Sequence, residues 1–148
     1  MDMLRLLLTA KADVNAQDFS MESPLCVAIE RPSELRTAMI TELLRYGASL
    51  DACRGNETAE DVILRKERNE TALAENQDWR AIKRLVAGVR QHGTYKRYIR
   101  APHRDVLAVR GLAQRGKLST NDPVLHFLAR IGDNGVVWHI LTYWRATD

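Results

Sequence analysis

The sequence predicts an all-α protein on three observations. A helical segment near the start is echoed 36 residues later, a proline-led helix start lies between the two copies, and the C-terminal half carries apolar residues at helical spacing. The first copy runs from Leu4 through Leu6-Leu7-Leu8 to Lys11-Ala12-Asp13-Val14-Asn15-Ala16. The second runs from Met39 through Leu43-Leu44 to Gly47-Ala48-Ser49-Leu50-Asp51-Ala52, and the offset is measured from Ala12 to Ala48.

Between them stands Ser23-Pro24-Leu25-Cys26-Val27-Ala28. A serine hydroxyl can accept from free N–H groups of a first turn, and proline is tolerated at the first helical position. Leu25 and Ala28, three apart, face neighbouring helices. Pro32 ends this helix, and Ser33 is placed to cap the next one. A further unit opens at Gly55-Asn56-Glu57-Thr58-Ala59-Glu60-Asp61-Val62. Helices are expected over residues 23–30, 38–46 and 58–68.

These motifs resemble the ankyrin repeat. The two echoing segments are similar to its second helix and exit turn, LL-x-x-GAD-x-N-A, and Ser23 to Ala28 to its TPLH-x-A start. Gly55 to Val62 is similar to the G-x-TA-x-D form of terminal repeats, which turn a polar face outward for solubility. The 36-residue offset is one period of about 33 plus a short insertion at Arg31 to Glu34. The resemblance covers residues 1–68 and implies a short array of about two units, N-terminally incomplete. Lys11 and Met21 depart from it, standing where the pattern has glycine with left-handed backbone. Because Met1 would fall inside a second helix, one flank of Met3, Leu4, Leu6, Leu7 and Leu8 lacks a cover. The expectation is that the chain belongs to a longer array and is truncated.

Residues 69–148 read as a helical C-terminal extension. One amphipathic helix spans 70–92 and ends at Gly93. An aromatic-basic segment from Tyr95 is stopped by Pro102, and a second helix fits His103 to Gln114. A third follows the Asn121-Asp122 cap from Pro123 to about Ile131. A fourth, from Val136 to Arg145, is apolar nearly all round and should be buried, with Trp138 and Leu141 against Val106, Leu107, Val109 and Phe127. This tail is similar to that of ankyrin-repeat proteins predicted in unicellular algae, which end in WH-x-L-x-[YF]-WR, here Trp138 to Arg145. Leu107 to Arg115 loosely resembles the first SOCS-box helix, and Asn134 to Leu141 the start of an F-box.

Charge divides the chain. Residues 1–78 carry 9 Lys/Arg against 15 Asp/Glu, whereas residues 79–117 carry 11 Lys/Arg against the single Asp105. The ordinary reading is that Arg80, Lys83, Arg84 and Arg90 lie on a solvated helix face, some pairing with Glu57, Glu60, Asp61 and Glu67. An acidic protein partner comes second. Nucleic acid, held by the Lys/Arg side chains with stacking on Tyr95 and Tyr98, comes third.

No catalytic, cofactor-binding or metal-binding residue is assigned. There is no P-loop, nucleophile elbow or dinucleotide fingerprint. His92, His103 and His126 share no ligand spacing with a cysteine or carboxylate, and Cys26 and Cys53 are too few for a disulfide framework. No run approaches the ~18 apolar residues of a membrane span. The setting expected is intracellular, cytoplasmic or nuclear.

The expected function is therefore a non-enzymatic protein-interaction module. The resemblance places partner contacts at the hairpin tips and the exposed face of the first helices. Those positions are Phe19, Ser20, Met21 and Glu22 at one tip, Arg54, Asn56 and Glu57 at the next, and Val27, Glu30 and Arg31 on the adjoining helix. The alternatives are a substrate-receptor subunit of a ubiquitin ligase with a degenerate box-like tail, and a nucleic-acid-associated protein using 79–117.

Overall fold

In the computed structural model, residues 2–117 are described, together with 122, 123, 126, 127 and 139. Among them the fold is all-α. Six helices run in order as α1 (Asp2–Thr9), α2 (Pro24–Glu30), α3 (Arg36–Arg45), α4 (Ala59–Asn69), α5 (Gln77–His92) and α6 (Tyr95–Gln114), with a 3-10 turn at Thr71–Glu75. Among the described residues, β pairing is limited to two isolated bridges, Glu22 with Arg54 and Arg54 with Glu57. No helix among the described residues is long and apolar enough to cross a membrane.

The echo in sequence is an echo in hydrogen bonding. Ala12 N–H donates to the Leu7 carbonyl at 3.0 Å, and Ala48 N–H to the Leu43 carbonyl at 2.9 Å; Lys11 to Leu8 and Gly47 to Leu44 form the second pair, both at 3.1 Å. These bonds close the last carbonyls of α1 and α3 through a left-handed residue. Gly47 reaches φ 93 freely, but Lys11 adopts φ 64 against its own Cβ. The hairpins before α2 and α4 also match, with Asp18 N–H to Glu22 O at 3.1 Å and Cys53 N–H to Glu57 O at 2.9 Å. Met21, the other residue in a glycine position, has φ 57.

Helix starts follow local chemistry. The Ser23 hydroxyl accepts from Cys26 N–H at 3.3 Å, as Thr58 does from Asp61 N–H at 3.2 Å. Asp61 returns the bond to Thr58 N–H at 3.0 Å, completing a capping box. Arg31, ahead of Pro32, is extended and ends α2. Ser33 does not cap α3: its hydroxyl accepts from Leu35 N–H at 3.1 Å inside the loop, and α3 begins at Arg36 without a side-chain cap.

Two expectations for the C-terminal half are corrected. Residues 70–92 are not one helix, because Asn76 caps α5 by accepting from Trp79 N–H at 3.0 Å, which confines Thr71–Glu75 to a 3-10 turn. A short polar side chain competes for backbone bonds and favours a cap over a helix interior. The aromatic-basic segment and the helix from His103 are likewise one helix, α6, with Pro102 inside. Proline deletes one backbone bond there, and helical residues on both sides carry the helix across. The expected third and fourth tail helices, and the packing of Trp138 and Leu141, lie outside the described residues.

The described chain falls into compact units spanning Met1–Tyr98 and Ile99–Asp148. In the first, α2 packs on α3 and α4, and α5 on α3 and α4. The core is one cluster in which Leu25, Cys26, Ile29, Ile40, Cys53, Ala59, Val62 and Ile82 are fully enclosed. Trp79 is buried with Arg36 stacked 5.4 Å from its ring centre. Of the N-terminal row, Leu8 is buried and Leu4 packs against the cluster, while Met3, Leu6 and Leu7 are 68%, 63% and 51% exposed. In the second unit Val106, Leu107 and Val109 are half-buried and Arg110 is buried.

Candidate functional site

The residues expected at the partner surface separate into three groups. Phe19, Ser20 and Met21 stand exposed at the first hairpin tip, Phe19 completely so, and Asn56 is exposed at the second. The tip is shaped by Asp18, whose carboxylate accepts from Ser20 N–H at 2.8 Å and Glu22 N–H at 3.0 Å. Phe19 points wholly into solvent, whereas the Met21 side chain reaches toward Gly55 of the next hairpin.

Glu22, Glu30, Arg54 and Glu57 form the second group, an ion network between the two hairpins that recruits Arg65 of α4. Arg54 lies 3.3 Å from Glu22 and 3.6 Å from Glu30; Arg65 lies 2.6 Å from Glu30 and 3.1 Å from Glu57. These groups are engaged with each other. Sequence spacing did not reveal Arg65, because its partners lie 35 and 8 residues away. Ligand atoms of Glu22, Cys26 and Glu30 also lie within 4.8 Å of one another. Their carboxylates face Arg54 and Arg65, and burial, the largest cause, raises the Cys26 thiol above its ordinary range. Cys53, hydrogen-bonded to Cys26, is raised further, again chiefly by burial.

The third group opens onto solvent. Val27 and Arg31 of α2 line a groove of about 630 Å³ with Glu22, Pro24 and Ala28; its other walls are Leu4 of α1 and Met39 and Leu43 of α3. Asp18 and Glu22 mark its hairpin end, Arg31 its other end. Leu4, Pro24, Met39 and Leu43 were absent from the expected surface. The signal that could have found Leu4 is the apolar row Met3 to Leu8, and that for Leu43 its place in the echoing copy.

The basic stretch is partly consumed by structure. Lys83 reaches Glu67 at 2.8 Å, and Arg90 bridges Glu60 at 2.8 Å and Asp51. The Arg90 guanidinium in turn holds the Glu60 carboxyl below its ordinary range. Arg80 donates to the Ala74 carbonyl at 2.9 Å, and Arg84 to the Arg80 carbonyl at 3.4 Å. Tyr98 packs on Gly88 so closely that a Cβ there would lie 2.2 Å from its ring, and it lies 6.0 Å from His92. That ring is not a free stacking platform. Lys96, Arg97, Arg100 and Arg104 remain exposed on α6.

Compared with known proteins, the chain matches no family model, no curated protein and no solved structure.

Proposed function

We propose that this chain is a non-enzymatic protein-interaction module of the ankyrin-repeat type, taking a protein partner across the first hairpin tip and the open face of α2. One observation carries the reading. A wide, mostly apolar groove lies beside a tip whose aromatic residue touches nothing of its own chain. Partner contacts concentrate on aromatic anchors and desolvated apolar pockets, and contiguous exposed apolar surface marks interaction sites. The recurrence of turn, hairpin and cap bonds in successive units supports the repeat assignment.

Photo-crosslinking tests it. A benzophenone side chain replacing Phe19 or Val27 is expected to capture the same protein, and one replacing Leu64, exposed on α4, is not. Equal capture from all three positions, or none from Phe19 and Val27, overturns the reading.

The nucleic-acid alternative rests on Lys96, Arg100 and Arg104, three exposed cations of the basic stretch on α6. Phosphate contacts would give a log–log salt slope near −0.9 per phosphate neutralised on duplex DNA. Oligonucleotide binding with a slope of several units, abolished by replacing these three with alanine, would favour it.

A further inference from the structure

The chain has two cysteines, Cys26 and Cys53, 27 positions apart, and folding brings them together. Cys26 stands in the first turn of α2, where its N–H donates to the Ser23 hydroxyl at 3.3 Å. Cys53 lies in the hairpin ahead of α4, and its carbonyl accepts from Ser23 N–H at 2.8 Å. Ser23 thus holds both segments, and its side chain is also hydrogen-bonded to the Cys53 thiol. The two thiols are hydrogen-bonded to each other, free of any disulfide, and completely enclosed.

A buried cysteine by itself is a small apolar filler. Two thiols in contact have a further chemistry, because each can attack a sulfur bonded to the other. The place where they meet is also one that can open. The two hairpins are joined there by the Ser23–Cys53 bond, by Gly55 N–H to the Met21 carbonyl at 3.0 Å, and by the Glu22–Arg54 ion pair at 3.3 Å. Their outer residues Phe19, Ser20 and Asn56 are exposed. A segment held by few backbone bonds and little apolar contact opens more readily than packed helices. While it is closed, burial keeps protons on both sulfurs and holds their reactivity down.

We propose that Cys26 and Cys53 are a redox pair, which a low-molecular-weight disulfide of the glutathione type converts to an intramolecular disulfide when the two hairpins part. One cysteine gives up its proton and attacks the small disulfide. A bond forms to that sulfur, the small S–S bond breaks, and one small thiolate leaves and is protonated. The other cysteine, likewise deprotonated, attacks the protein sulfur of the mixed disulfide, and the second small thiolate leaves and is protonated. Two protein thiols are oxidised to one disulfide, and one small disulfide is reduced to two thiols. The link closes a loop that holds the rest of α2, all of α3 and its exit turn, and it ties that loop to the hairpin before α4. A cross-link of this kind restricts the unfolded chain, so the oxidised protein is the more stable form. The pair stands independently of the proposed binding function.

The test uses the full reduced chain under native conditions, incubated with oxidised glutathione, quenched in acid and alkylated. Intact mass is expected to show the loss of two hydrogens with no glutathione retained, and peptide mapping a link between Cys26 and Cys53. Cys53→Ser should instead stop at the mixed disulfide on Cys26. The oxidised wild-type chain should melt roughly 5–10 °C above the reduced one, and dithiothreitol should return it to the lower value. The wild-type mass and melting measurements decide the matter even if a cysteine variant fails to fold. Retained glutathione on the wild-type chain, a disulfide between two chains, or a link that forms only in urea beyond the unfolding midpoint overturns the proposal. So does an oxidised chain that melts at or below the temperature of the reduced one.

Discussion

The two faces of α2 lie next to each other and have opposite fates. Within the helical core, Leu25, Cys26 and Ile29 are fully enclosed, and Glu30 is tied to Arg65 of α4. Toward the groove, Val27 and Pro24 are half-exposed and Arg31 is exposed at the rim. Both faces carry apolar residues, so hydrophobicity alone does not distinguish core from open groove. A packed neighbouring helix distinguishes them.

Side-chain truncation on each face of α2 is expected to separate them most strongly. Ile29→Ala is expected to cost about 3–4 kcal/mol, a lost aliphatic side chain plus the cavity it leaves. Val27→Ala should cost less, about 1 kcal/mol, because part of that side chain stays in contact with water. Urea unfolding of the two variants measures both. Equal losses would mean that the groove is closed in solution.

The ion pairs give a second, smaller contrast. Arg65→Ala is expected to destabilise by about 1 kcal/mol, since it removes partners from Glu30 and Glu57 at a partly screened site. Arg31→Ala, on the open face, should be neutral within about 0.5 kcal/mol. Thermal melts at low salt compare them.

The exit turns after α1 and α3 differ in backbone strain. Lys11 and Gly47 make the same backbone bonds, yet Lys11 bears a Cβ at φ 64. Lys11→Gly should stabilise by about 1 kcal/mol, and Gly47→Ala should destabilise by a similar amount. Chemical denaturation of both detects the sign change.

Acid reaches the covered side through α4. The Thr58 hydroxyl, and then its N–H, hold the Asp61 carboxyl below its ordinary value of 3.8; Arg90 holds Glu60 below 4.5. Folded values below unfolded ones mean stability that is complete above the ordinary values and lost as pH falls through the lower, folded ones. Melting temperature should therefore decline as the pH drops below about 4.5. Glu60→Gln should make that decline shallower, and an unchanged profile would show that the Arg90 contact contributes nothing in solution.

Much of the fold was legible because it is local. Ser23 and Thr58 announce helix starts, Gly93 a stop, and the Ala12–Ala48 offset a repeat, and each depends on bonds a few residues long. The errors are also local in origin. Asn76 reads as a helix interior until its side chain is seen to cap α5, and Pro102 reads as a stop although α6 continues through it.

Sequence alone determined the helical class, the two echoing units and the charge division, since periodicity, caps and composition are properties of neighbours along the chain. Tertiary structure alone decided which charges are spent. Glu30 meets Arg65 across 35 residues, and Arg90 meets Glu60 across 30. It also decided that Leu4, Val27 and Met39 line one groove while Met3, Leu6 and Leu7 stay exposed. Those outcomes depend on which helices stack, and a stack brings together residues that no local spacing connects.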